Sequence, residues 1–376
     1  MLARATTFAL AGVDALEVTV EADIRQGLPA FSIVGLPDAA VQESRERVRA
    51  AIQNSGYEFP LRRITVNLAP ADFRKAGPGF DLALAAALLS ASGQVNGEQL
   101  ARYALCGELG LDGSVRPVRG VLAVADGARR CGCEGLVLAA ANAAEAALVE
   151  GLDVAGIETV RELVSFLAGH WRPPPVCIDT HAMLECEPDD EHDLSQVKGH
   201  RALKRALEVA AAGGHNLLMM GPPGSGKSMV ARRLPTIMPP LTLPEALEST
   251  RVHSVAGLLA GRPIVAQRPF RAPHHPISSA GLVGVGIPPA PGEASLAHNG
   301  VLFLDEVAEF SRSALEALRQ PLELGSIALT RGQRTVAFPS RFTLVSATNP
   351  CPCGHAEDPR RDCSCARGHG SGISRD

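Results

Sequence analysis

The 376-residue chain is 46% hydrophobic and 20% charged, which excludes a disordered chain and leaves room for two domains with cores of their own. No apolar run reaches membrane-spanning length. Residues 1–20 lack a basic segment followed by a long apolar stretch, so a soluble cytoplasmic protein with no membrane partner is expected. The net charge of −4 is unevenly spread: residues 1–170 carry 15 basic and 20 acidic side chains, residues 171–195 carry 1 and 7, and residues 196–376 carry 20 and 13. A basic second half is compatible with a nucleic-acid partner without requiring one.

Residues 1–170 alternate strand and helix patterns. Ala15–Ala22 alternates as a strand. Ala39–Asn54 reads as an amphipathic helix on Val41, Val48 and Ile52, ended by Gly56. Arg63–Leu68 predicts another strand. Asp81 stands where it would cap a helix over Leu82–Ser90, whose all-round hydrophobicity predicts burial. Leu136–Leu138 predicts a late strand and Val160–Leu167 a closing helix. From Trp171 to residue 192, the run Pro173-Pro174-Pro175 and the acidic stretch Glu185–Asp193 predict an extended, solvated linker. A second domain opens at Asp193. Its first helix carries Leu203, Leu207 and Ala210 on one face and ends at Gly213-Gly214.

The most specific motif follows. Gly221-Pro222-Pro223-Gly224-Ser225-Gly226-Lys227-Ser228 fits the phosphate-binding pattern G-x-x-x-x-G-K-[ST] in full. Asn216–Met220 before it reads as a buried strand, and Met229–Leu234 after it as the first turns of a helix. The glycines let backbone N–H groups turn toward phosphate oxygens. Lys227 would reach the β- and γ-phosphates of ATP, and Ser228 would hold Mg²⁺. Further on, Val301–Leu304 is an apolar run ending in Asp305-Glu306, the pattern of a buried parallel strand that delivers two acids to the carboxyl edge of its sheet. Asp305 is expected to hold the Mg²⁺, and Glu306 to orient or deprotonate the attacking water. The alternative for the pair is a strand end followed by a helix-capping acid.

Nine cysteines in so long a chain are not a secreted disulfide framework. Five are scattered. The other four form the pairs Cys351-Pro352-Cys353 and Cys363-Ser364-Cys365, which suit a tetrahedral Zn²⁺; the alternative is four reduced, unbound thiols.

The strings SIVGLPD (Ser32–Asp38), AAAGGHNLL (Ala210–Leu218), FRAPHH (Phe270–His275), PGEASLAHNG (Pro291–Gly300) and ATNPCPCG (Ala347–Gly354) together resemble the bacterial magnesium-chelatase-like AAA+ ATPases of the YifB or ComM group. The resemblance runs from near the start of the chain to about Cys365. It implies an α/β protein: an N-terminal Lon-protease-like (ribosomal S5 domain 2-like) domain over 1–170 and, beyond the linker 171–192, a partial AAA+ P-loop domain with a parallel sheet over 193–365. Residues 366–376, where the chain departs from that pattern, are expected to be a disordered tail from their composition. The resemblance also implies a hexameric ring that hydrolyses ATP to work on DNA, as in branch migration during natural transformation.

Several roles rest on that resemblance. Asn349, after the strand Phe342–Ser346, matches the sensor-1 polar residue; read locally, it instead caps a turn before Pro350. His274 and His275 fall in the family's helix-2 insertion. Ile327–Phe338, with Arg331 and Arg334 around Gly332, matches the pre-sensor-1 hairpin, where basic side chains would track DNA phosphates. The alternatives are solvated turn arginines and locally packed histidines. The Lon likeness raises a protease reading, yet Gly79 and Leu122 stand where a Ser nucleophile and its Lys base belong, and Lys75 nearby makes no dyad without the Ser. The family pattern continues past Cys365 into a strand and a lid bearing the sensor-2 arginine. Residues 366–376 carry no apolar period, so a truncated chain with impaired turnover is expected. The competing readings are a chelatase-like remodeller of a protein partner and a nucleotide-binding remnant without turnover.

Overall fold

The computed structural model describes residues 1–185, 193–286, 289–331, 334–351, 353, 356 and 363–365. Contacts divide the chain into two compact units. Unit 1 comprises Met1–Thr180 and His253–Ile264, and unit 2 comprises His181–Val252 and Val265–Asp376.

Unit 1 is built on a seven-stranded mixed sheet. Its strands are Leu2–Ala11 (β1), Asp14–Arg25 (β2), Ala30–Val34 (β3), Arg63–Ala69 (β4), Tyr103–Cys106 (β5), Gly135–Ala139 (β8) and Asp153–Ile157 (β9), in the order β3-β4-β2-β1-β5-β8-β9. A small ribbon pairs Glu108–Leu109 (β6) with Val115–Arg116 (β7). The alternation in β2 is the cause of its burial pattern: Val18, Val20, Ala22 and Ile24 face the core while Glu17 and Glu21 face out. The helix Ala39–Asn54 starts at Asp38, whose carboxylate accepts the Val41 N–H at 2.8 Å, and it buries Val41, Ser44, Val48, Ala51 and Ile52.

The apolar helix forms over Asp81–Ala91 and is buried on every side except at Ser90. Asp81 is not its cap. It sits inside the first turn, fully buried, where its carboxylate accepts from Arg47 (2.8 and 3.2 Å), from the Leu109 N–H (3.2 Å) and from the Ser44 hydroxyl. Arg47 on the neighbouring helix outcompetes the local backbone for this charge. Residues 171–179 have no regular structure, but Thr180–Leu184 forms a short helix with no buried residue within the stretch expected to be extended. Residues 186–192 and the tail 366–376 lie outside the described residues.

Unit 2 holds a parallel sheet of Leu217–Met220 (β10), Phe270–Arg271 (β11), Val301–Leu304 (β14) and Thr343–Thr348 (β17), in the order β10-β17-β14-β11. Two antiparallel pairs lie outside it: Gly284–Val285 (β12) with Ala290–Pro291 (β13), and the hairpin Ser326–Arg331 (β15) with Arg334–Pro339 (β16). The helix Arg201–Gly213 buries Leu207 and Ala210 and ends at Gly214, whose φ of +62° is the left-handed conformation such an ending needs. β14 is buried along its whole length, as a central parallel strand must be. No helix among the described residues is long and apolar enough to cross a membrane.

Candidate nucleotide site

The pairing register brings three chain segments to one edge. Met220 lies opposite Thr348, and Leu304 opposite Ser346. All three strands run in the same direction, so the residues that follow them emerge together at the carboxyl edge. These are the loop 221–226, Asn349, and Asp305 with Glu306.

The loop turns through Gly224 (φ +77°) and Gly226 (φ +84°), conformations that side chains with a Cβ adopt only under strain. A helix begins at Lys227, earlier than the sequence pattern suggests, and stops at Ala231; a second short helix starts at Leu234 with Pro235 in its first turn. One continuous helix is blocked because Pro235 has no N–H to donate and its ring would meet the Ala231 carbonyl.

Lys227 Nζ donates to the carbonyls of Gly221 (2.7 Å) and Pro222 (3.1 Å) and to Asn349 Oδ1 (3.1 Å). Asn349 is thus turned toward the lysine. Ser228 Oγ donates to Asp305 Oδ2 at 2.5 Å, and Asp305 Oδ1 accepts the Glu306 N–H at 3.1 Å. Glu306 is exposed and has φ +53°, a left-handed conformation that costs a non-glycine residue free energy. Ser225 Oγ is buried within the loop and has no hydrogen-bond partner among the described residues. A hard divalent cation takes oxygen ligands of the kind Ser228 and Asp305 offer together, and an anion suits the glycine loop and the Lys227 ammonium. These residues fit Mg²⁺ and a nucleotide phosphate.

The sequence reading missed what holds β14 in place. Arg271 on β11 makes a two-pronged contact to Glu293 (2.6 and 2.8 Å), which holds the guanidinium above its ordinary pKa. His298 is buried, with Nε2 3.0 Å from Glu248 and Nδ1 accepting the Arg341 N–H at 3.0 Å. Burial lowers its pKa, and the Glu248 carboxylate only partly opposes that. Gly300 immediately precedes the strand, where an added Cβ would fall 2.0 Å from the Pro269 carbonyl oxygen, so only glycine fits. Glu293, His298 and Gly300 all belong to PGEASLAHNG, but contacts from so far along the chain leave no local signal.

The other expected residues lie elsewhere in the chain, except the cysteines, which begin two residues after Asn349. His274 and His275 are exposed in the loop after β11. Arg331 and Arg334 face each other across the hairpin end, although their side chains and residues 332–333 lie outside the description. The four cysteines Cys351, Cys353, Cys363 and Cys365 converge, with all sulfurs within 4.8 Å of one another. In unit 1, Lys75 is fully buried; its Nζ donates to the carbonyls of Pro70 and Phe73 (3.0 Å for the latter), with the Phe73 ring 4.2 Å away.

Two families match. One described as magnesium chelatase, subunit ChlI, covers residues 193–371, and one described as subunit ChlI of Mg-chelatase covers residues 20–142. An uncharacterized protein of Mycobacterium tuberculosis, Rv2897c, is 50% identical over 367 residues, spanning 97% of this chain and 72% of its own. YifB of Escherichia coli is 45% identical over 361 residues (95% and 70%), and the competence protein ComM of Haemophilus influenzae is 45% identical over 345 (92% and 68%). The chain belongs to the YifB/ComM family of magnesium-chelatase-like ATPases. Membership supports ATP hydrolysis with Mg²⁺ as the activity of the family's shared nucleotide unit, and the parallel sheet with its glycine loop is the architecture that activity needs.

Proposed function

We propose that unit 2 binds MgATP at the edge formed by residues 221–228, Asp305, Glu306 and Asn349, hydrolyses it, and uses the energy to move DNA as a ring-shaped assembly. The observation that carries the nucleotide part is the pair of cross-strand contacts, Ser228 to Asp305 and Lys227 to Asn349. They join the phosphate-loop motif to two other strands at one edge.

Each residue has a distinct task. The backbone N–H groups of 221–226 and the Lys227 ammonium bind the phosphates, and Lys227 exchanges its loop carbonyls for phosphate oxygens when it does so. Ser228 Oγ and Asp305 supply oxygens toward Mg²⁺, which when bound neutralises charge on the β- and γ-phosphates. Glu306, exposed at the end of β14, takes a proton from the attacking water. Asn349 orients Lys227 and, with it, the γ-phosphate side of the site.

The DNA part has separate support: the net +7 charge of residues 196–376, the hairpin ending in Arg331 and Arg334, and likeness to a protein named for competence. His274 and His275 are proposed as secondary DNA contacts on the strength of their exposure. Unit 1 is read as a Lon-like domain used for assembly rather than peptide cleavage, because its buried Lys75 is engaged by backbone carbonyls and Gly79 offers no nucleophile.

The test is ATP binding and turnover by the full chain with and without single-stranded and branched DNA. Lys227→Ala should lower turnover by about 10²–10³. Arg331→Ala with Arg334→Ala should leave basal turnover intact and abolish stimulation by DNA. Turnover that responds to no DNA would instead favour a remodeller of a protein partner. Turnover unchanged by Lys227→Ala would remove the nucleotide site itself.

A further inference from the structure

The four cysteines are not used by the nucleotide chemistry, and they are not arranged as two disulfides. Cys351 Sγ lies 3.3 Å from Cys353 Sγ and 3.7 Å from Cys363 Sγ, and Cys353 Sγ lies 3.5 Å from Cys363 Sγ. Cys363 is therefore close to two partners at once, and none of the four is in a disulfide. Every sulfur is within 4.8 Å of every other. Four sulfurs at tetrahedral Zn–S distance would be separated by about 3.8 Å, the scale observed here.

The backbone supports the charge such a set would carry. The Cys353 N–H points to Cys365 Sγ at 3.3 Å, and the Ala356 N–H to Cys351 Sγ at 3.2 Å. N–H donors aimed at sulfur stabilise thiolate over thiol and fix the direction of each ligand. Four soft ligands around one point, without carboxylate or imidazole in the set, select a metal that accepts all-sulfur tetrahedral coordination.

The position of the cluster gives it a role. Cys351 is buried and stands two residues after Asn349. The chain reaches it from β17, whose last residue, Thr348, accepts the Gly221 N–H through its carbonyl at 3.3 Å. An anchor at Cys351 therefore restrains the short segment that carries the Asn349 amide to Lys227.

We propose that Cys351, Cys353, Cys363 and Cys365 form a tetrathiolate site for one Zn²⁺ ion, which anchors the chain leaving β17 and so positions Asn349 at the nucleotide site. The ion site rests on the sulfurs alone. The positioning role rests on the nucleotide reading above, and the two are tested separately.

The full chain, purified without chelator, should contain about one zinc per chain, with no stoichiometric iron. Replacing it with Co²⁺ should give intense sulfur-to-metal charge-transfer absorption and the visible bands of a tetrahedral thiolate site. Cys353→Ser and Cys363→Ser should each weaken or abolish those bands. Absence of both bound metal and Co²⁺–thiolate absorption in the unaltered chain overturns the site, without relying on any variant that fails to fold. For the positioning role, chelation of the metal should lower ATP turnover by on the order of tenfold or more, as a small displacement of an orienting group does. Re-addition of Zn²⁺ should restore it. In the Asn349→Ala variant the same chelation should change turnover little, since the group it displaces is gone. A metal-loaded protein whose turnover ignores chelation overturns the positioning role. If Lys227→Ala leaves turnover untouched, it is the nucleotide reading that fails, and the metal content is unaffected by that result.

Discussion

The two units treat charge in opposite ways. Unit 1 buries ions and surrounds them. Asp81 is fully enclosed and receives donors from Arg47, Ser44 and Leu109, and buried Lys75 is held by the Pro70 and Phe73 carbonyls. Unit 2 leaves its charged groups half-exposed or exposed at a sheet edge, and its buried imidazole, His298, has its pKa pushed toward the neutral form. An ion with all its partners inside the protein is a fixed part of the fold, since any rearrangement strands a charge. Lys227 differs: its partners are two loop carbonyls and an amide, which a phosphate can replace at little cost. Chemistry is expected where partners can be exchanged.

The largest effect expected from this contrast lies at Glu306. Glu306→Gln keeps the shape and removes the base, so turnover should fall by about 10²–10⁴ while ATP binding is retained. Glu306→Gly should be equally inactive yet more stable, by about 0.5–1 kcal/mol, because glycine accepts φ +53° without strain. Stability rising as activity disappears would mark the strained turn as kept for function. A destabilised Glu306→Gly protein with normal turnover would make Glu306 an ordinary turn residue and break the contrast from unit 2's side.

From unit 1's side the corresponding probe is Asp81→Ala. It leaves the Arg47 guanidinium, which Asp81 raises above its ordinary pKa, without its main partner. Denaturant unfolding should show unit 1 less stable by about 3 kcal/mol. Nucleotide affinity of the folded protein should not change. An equal loss of affinity would mean that the buried ion of unit 1 is part of the functional machinery after all.

How much of this was legible in the sequence follows from the same distinction. Elements with their own period and stops were readable: the helix Ala39–Asn54, the helix Val160–Leu167 and the strand Val301–Leu304 lie where their apolar spacing puts them. The loop motif could be read because its glycines are demanded locally, by backbone turns at Gly224 and Gly226. Asp81 was misread because a capping position and a buried ion-pair position look alike until Arg47, 34 residues away, is brought beside it. Pro235 was visible, yet its effect of ending the helix after Ala231 was not drawn. The Glu293, Glu248 and Arg341 contacts that hold β14 in place depend on pairings across 22 to 50 residues, for which one sequence without its fold has no signal.

The smallest predicted effect tests whether unit 2 avoids buried ions. His298 Nδ1 already accepts the Arg341 N–H, so a second proton on the ring would have to displace that donor. Burial acts in the same direction and lowers the pKa. The folded protein therefore binds fewer protons than the unfolded chain near and below pH of about 6.5, and folding stability from this group is present above that value and lost as the pH falls. The unfolding midpoint of unit 2 should drop on going from pH of about 7.5 to about 5, with a slope from one proton of at most about 1.4 kcal/mol per pH unit. His298→Gln should flatten that slope while lowering the midpoint at neutral pH. A slope of opposite sign, with stability lost as pH rises, would mean that Glu248 holds a buried imidazolium. Unit 2 would then bury an ion just as unit 1 does, and the exposure of its site would have to be explained by something other than how the unit handles charge.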